Sequence, residues 1–200
     1  MAIAESCAGC GLTYNCVCFQ LPQLSIDAHI ALLMHENELR RETNTGQWLL
    51  KSLPNCSKHI WQRKSPCPEL VKLLANKKFQ PVLLFPDEDS VPMSQFCRQV
   101  TEECKTPLFI ILDGTWQESS KMIRKSPWLE EVPRAHIIPC RRSEYQLRRN
   151  QSEGHLCTFE VATEVVRNLG EERQAESMAK FLTHYMQIYQ ADKSGHRYRK

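Results

Sequence analysis

Short apolar runs alternate with longer, helically spaced stretches along most of this chain. HIALLMH (29–35), PVLLF (81–85), PLFIIL (107–112) and AHIIP (135–139) are continuously apolar and too short for ordinary helices, so they read as buried strands. Between them, near 44–53, 67–77, 93–104 and 115–125, apolar residues recur at three- and four-residue intervals. Two more helices follow. In TFEVATEVVRNLG, Thr158 is suited to cap a helix whose apolar face is Phe159, Ala162, Val165, Val166 and Leu169, with Gly170 as its stop. The last helix, near 174–190, carries Ala175, Met178, Phe181, Leu182 and Tyr185 on one face. Strands alternating with helices predict an α/β fold, a mainly parallel sheet flanked by helices.

The 200 residues, 42% of them hydrophobic, suit one such domain with a small appendage. Apolar runs stop at about five residues, too short for a membrane span. MAIAESCAGC has neither the basic nor the apolar segment of a signal peptide, so the expected location is cytoplasmic, where thiols stay reduced.

Ten cysteines then need another explanation. Four fall within CAGCGLTYNCVC: Cys7, Cys10, Cys16 and Cys18. A C-x2-C arm lets two thiolates face one ion, and Gly9 and Gly11 permit the tight turn. The second arm, C-x-C, is tighter than the commonest pattern. A closed, structural tetrathiolate zinc site is the favoured reading; an iron–sulfur cluster or a chance clustering of thiols are its rivals. The organisation expected is a cysteine-rich zinc-binding arm over 1–24 and a main domain over 25–200. The other cysteines read as small buried hydrophobes.

In open α/β sheets, ligands bind beyond the carboxyl ends of the strands. FIILDGTW (109–116) runs an apolar strand into Asp113, Gly114, Thr115 and Trp116. Asp113 and Thr115 fit plain capping chemistry as well as a functional role. A phosphatase of the hhhhDxDGT kind is excluded, because its nucleophilic aspartate would fall at Ile111. On the helix that follows, Lys121, Arg124 and Lys125 share a face, and Pro127 ends it.

The net charge of +3 conceals a basic stretch. Residues 121–149 hold eight Lys/Arg, including Arg141, Arg142, Arg148 and Arg149, against three acids, and the tail 193–200 adds four cations. This clustering points to a polyanionic partner, with a solvated basic face as the alternative.

Several ordered motifs together resemble the DTW-domain family, named for Asp-x-Thr-Trp. DGTW is followed by KMIRKSPWL; HENELRRETNTGQWL resembles the family's H-P-x-E…N-T-G segment at His35, Glu38, Asn44, Thr45 and Gly46. LLFP matches the next block, YQLRRNQSEGHLCTFEVAT the C-terminal one, and the four cysteines resemble the family's arm. Glu36 replaces the usual proline and Val161 the usual alanine.

The resemblance implies a SPOUT-like domain with a C-terminal trefoil knot, making 25–200 the catalytic domain. It implies a tRNA-uridine aminocarboxypropyltransferase, moving the 3-amino-3-carboxypropyl group of S-adenosylmethionine to uridine N3 and releasing methylthioadenosine. A SPOUT-type RNA methyltransferase and a non-catalytic zinc-containing RNA-binding protein are the alternatives. Asp113 is then the candidate base or a cofactor ligand, with Thr115 and Trp116 beside it. The cofactor-binding loops map to Leu84, Phe85 and Pro86; to Leu112, Asp113, Gly114 and Trp116; and to Leu156, Cys157, Thr158 and Glu160. Cys157 is expected as a wall residue. The RNA contacts expected are Lys121, Arg124, Lys125, Arg141, Arg142, Arg148 and Arg149, with Arg41 and Asn44 reaching RNA or substrate. His35 and Glu38 are expected as a buried structural pair.

Overall fold

The computed structural model describes residues 5–140, 143–147 and 156–199. Six strands form one sheet: β1 (His29–Met34), β2 (Cys56–Ile60), β3 (Phe79–Leu84), β4 (Val91–Pro92), β5 (Thr106–Asp113) and β6 (Arg134–His136). Their order is β2-β1-β5-β3-β6-β4, and every pairing is parallel. Flanking them are α1 (Gly46–Ser52), α2 (Pro68–Ala75), α3 (Met93–Glu102), α4 (Trp116–Arg124), α5 (Thr158–Asn168) and α6 (Glu172–Lys193). Short 3₁₀ turns occupy Cys18–Gln20, Glu36–Arg40 and Pro127–Leu129.

The central strand β5 is covered on both faces, which explains its unbroken hydrophobic run. Phe109 and Ile111 point into one core with Ile30, Leu32, Trp48, Phe159, Phe181 and Tyr185. Leu108, Ile110 and Leu112 point into the other with Ala31, Leu33, Leu70, Met122 and Leu129. Each fully buried large apolar side chain contributes roughly 1.5–3 kcal/mol. The first core also takes in Leu12 and Val17, so the cysteine arm is packed against α1, α5 and α6. Trp48 is its centre, with the rings of Tyr185 and Phe181 edge-on at 4.9 and 5.5 Å.

Two strands were missed in the sequence for physical reasons. β2 is a sheet edge, so Ser57 and Lys58 stand where a central strand would be apolar. β4 is two residues at the opposite edge and contains Pro92, tolerated only there. The region expected as a strand over 135–139 shrinks to Arg134–His136. Among the described residues no helix is long and apolar enough to cross a membrane. The chain between Cys140 and Leu156, through which the implied knot would run, includes residues outside the described set.

Candidate active site

The parallel strands aim their carboxyl ends one way, and Asp113 closes β5 at that end. It is fully buried. Thr158 Oγ1 donates to its Oδ1 at 2.6 Å and Asn44 Nδ2 to its Oδ2 at 2.8 Å. Thr158 is the first residue of α5, and α1 begins at Gly46, so two helix amino ends converge on the carboxylate. Their partial positive charge favours an anion there. A Cβ on Gly46 would lie 2.5 Å from Asp113 Oδ2, so only glycine lets α1 start this close. These bonds join β5 to the turn that leads into α1 and to α5, across 69 and 45 residues of sequence.

Asp113 is thus enclosed and engaged on both oxygens. Thr158 does not cap α5; Cys157 does, with Glu160 Oε2 accepting from Cys157 N at 2.7 Å. Asn44 is 4% exposed and its amide donates to Asp113 and to Glu38 Oε2 (2.9 Å).

A second layer lies between Asp113 and solvent. Glu38, 1% exposed, pairs with Arg41, whose guanidinium also reaches both oxygens of Glu118 at 2.9 and 3.0 Å. Arg41 is thus engaged by two carboxylates while its side chain stays 31% exposed. Thr115 caps α4 through a capping box: Glu118 N donates to Thr115 Oγ1 (3.3 Å), and Thr115 N donates to Glu118 Oε2 (2.8 Å). The threonine of the motif is therefore a helix cap. Burial alone would raise the Glu118 carboxyl, but donors on Arg41, the Thr115 backbone, Asn37 and the Thr115 hydroxyl outweigh it and bring it to about 2.

His35 is buried as expected, and its carbonyl accepts from Glu38 N at 2.9 Å. It stacks on Trp61 (5.4 Å between centroids) and takes the Asn37 N–H on Nδ1 at 3.3 Å. The role of Glu118 was readable in advance, since T-W-Q-E is a capping-box pattern. That of Gly46 was not.

Above this layer the surface changes character. Trp116 is 47% exposed and lies flat against Phe85, with centroids 5.0 Å apart and planes 12° from parallel. Phe85 follows β3, so an aromatic platform joins two neighbouring strand ends. Lys121, Arg124 and Lys125 on α4 are exposed and have no acidic partner among the described residues. Of the other residues expected around a cofactor, Leu84, Leu112 and Cys157 are buried, Gly114 is half-buried and Pro86 is exposed. Burial pushes the Cys157 thiol up, which suits a wall residue and not a nucleophile. Leu156 and Glu160 line a separate cavity of about 410 Å³ between α5 and α6. Arg141, Arg142, Arg148 and Arg149 lie outside the described residues.

The four arm cysteines come together as the spacing predicts. Their sulfurs all lie within 4.8 Å of one another, with Cys7 3.5 Å from Cys16 and 3.8 Å from Cys18. A tetrahedral ion with bonds of about 2.3 Å sets its sulfurs about 3.8 Å apart, so the donor set fits a metal ion. Backbone N–H groups of Cys10 and Gly9, then the Cys16 thiol, hold the Cys7 thiol down at about 6. Burial first, then the neighbouring thiols of Cys16 and Cys7, push Cys18 up to about 12. A Cβ on Gly9 would meet Cys18 Sγ at 2.6 Å, and Gly11 turns at φ +73°.

Comparison with known proteins follows the same lines. The family model described as DTW domain matches residues 4–190. Among curated proteins, the chain is similar to tRNA-uridine aminocarboxypropyltransferase 2 of Drosophila melanogaster, 25% identical over 162 residues. The match covers 74% of this chain and 59% of that protein, so the chain spans less than two thirds of the relative's length. No solved structure matches the chain.

Proposed function

The chain belongs to the DTW-domain family, and from that premise we propose that it transfers the 3-amino-3-carboxypropyl group of S-adenosylmethionine to N3 of a tRNA uridine. Uridine N3 gives up its proton to solvent water, and its electron pair attacks the γ-carbon of the methionine chain. The bond from that carbon to sulfur breaks, its electrons return to the sulfonium, and neutral methylthioadenosine leaves.

The observation that carries this reading is the half-exposed Trp116–Phe85 stack at the strand ends, set above buried carboxylates and beside the bare cations of α4. An aromatic face of this kind holds a base, worth about 1–3 kcal/mol. Lys121, Arg124 and Lys125 take phosphates, each steepening the salt dependence by about 0.7–0.9 log units. Asp113 acts on the chemistry through Asn44 and Thr158, fixing the loops that shape the pocket to the tolerance such transfers need. Cys7, Cys10, Cys16 and Cys18 would hold a structural zinc, a closed thiolate set that leaves no position for a catalytic water.

The test uses S-adenosylmethionine labelled either in the methyl group or in the carboxyl group, with unmodified tRNA. Carboxyl label enters tRNA and methyl label leaves as methylthioadenosine if the reading holds. Methyl label in the tRNA makes the protein a methyltransferase instead.

A further inference from the structure

We propose that the cysteine arm and the carboxyl-terminal tail together build a second RNA-contacting surface, separate from the basic face of α4. The proposal rests on the tRNA reading above.

The two ends of the sequence meet at one corner of the fold. Asp192, near the end of α6, accepts the backbone N–H of Thr13 at 2.9 Å and of Tyr14 at 2.7 Å. α6 then stops at Gly195, φ +79°, a left-handed turn that reverses the chain. The tail runs back along its own helix. Tyr198 N donates to Asn15 Oδ1 of the arm at 3.3 Å, its hydroxyl donates to Gln187 Oε1 at 2.8 Å, and its ring meets His184 edge-on at 5.5 Å.

Tyr198 is thereby fixed inward and half-buried, while Arg197 and Arg199 on either side of it are exposed. Neither has an acidic partner among the described residues. Tyr14 completes the patch. It is 42% exposed, and its hydroxyl lies 4.0 Å from where a Cβ on Gly195 would be. Two bare guanidinium groups beside an open phenol ring are suited to phosphates and an unstacked base.

The corner is also tied, through α6, to the segment that leads into Asn44. Lys193 and Tyr189 both contact the Glu42 carboxylate, two residues before Asn44. One RNA laid across the strand ends would touch α4 on one side and this corner on the other. The arm thus gains a purpose beyond stability: held in shape by its thiolate cluster, it clamps the tail so that its cations face outward.

The experiment measures tRNA affinity against salt concentration by fluorescence anisotropy, using the full chain. Arg197→Ala/Arg199→Ala is expected to flatten the log–log salt slope by about 1.4–1.8, and Arg197→Lys/Arg199→Lys to restore it. Tyr14→Ala is expected to weaken binding about 5- to 150-fold with little change of slope. Lys121→Ala/Arg124→Ala flattens the slope by its own, additive amount. If the tail variants keep the wild-type slope while the α4 variant loses slope, the corner is not an RNA contact and the tRNA reading survives. If the wild-type chain binds no tRNA at any salt, both fall together.

Discussion

Gly46→Ala is ordinarily a stabilising change at the first turn of a helix, worth up to about 1 kcal/mol. Here the opposite sign follows from the structure. The new methyl would sit 2.5 Å from Asp113 Oδ2, 3.2 Å from its Cγ and 3.3 Å from Asn44 Oδ1. The carboxylate has to move by most of an ångström, which stretches its bonds from Asn44 and Thr158 beyond useful length. Hydrogen bonds to a charged group are worth about 1.5–3 kcal/mol each, so losing much of both, less the helix gain, leaves a net cost of about 2–5 kcal/mol. At about 2–4 °C per kcal/mol for a chain of this size, Tm falls by roughly 5–15 °C. Urea and thermal unfolding measure it. The same substitution in an Asp113→Ala background meets no carboxylate, and there it is neutral or mildly stabilising. The double-mutant cycle therefore yields a coupling of several kcal/mol. A Gly46→Ala protein as stable as wild type, or a cycle without coupling, refutes the claim that α1 is docked on Asp113.

Glu118 is held at about 2, below its ordinary 4.5, so the stability it brings is complete above about pH 5 and drains as pH falls toward 2. The stability gap between wild type and Glu118→Gln should therefore shrink over that window, and a gap constant with pH contradicts the assignment. Arg41→Ala removes the guanidinium that bridges buried Glu38 and Glu118 and costs about 2–4 kcal/mol, somewhat under the usual penalty because Arg41 is 31% exposed. Unchanged urea midpoints would show that Arg41 is dispensable. Cys16→Ser should lower both the metal content, read by elemental mass spectrometry, and the Tm. A variant that loses metal yet keeps its Tm removes the structural role from the arm.

The strands that frame the site were readable because β1 and β5 are buried on both faces and must be apolar throughout. The cysteine arm was readable because its ligands are close in sequence. The polar residues were a different matter. Asn44, the first residue of N-T-G, looks like any turn asparagine, and only folding brings Asp113, 69 residues away, to its amide. Thr158 likewise reads as a cap, since local sequence cannot reveal that its hydroxyl has a better acceptor on β5. Trp116 inverts the usual expectation for a tryptophan beside a core strand: the capping box of Thr115 and Glu118 rotates the first turn of α4 so that the indole faces out against Phe85.

The central claim is that this outward indole works on the substrate at the strand ends. Single-turnover transfer to tRNA, followed by mass analysis of the digested nucleosides, tests it directly in Trp116→Ala and Trp116→Phe. Wild type is predicted to give aminocarboxypropyl-uridine, Trp116→Ala to be slower by about 5- to 150-fold with an unchanged Tm, and Trp116→Phe to recover most of the rate. A Trp116→Ala protein that forms the product at the wild-type rate contradicts the account.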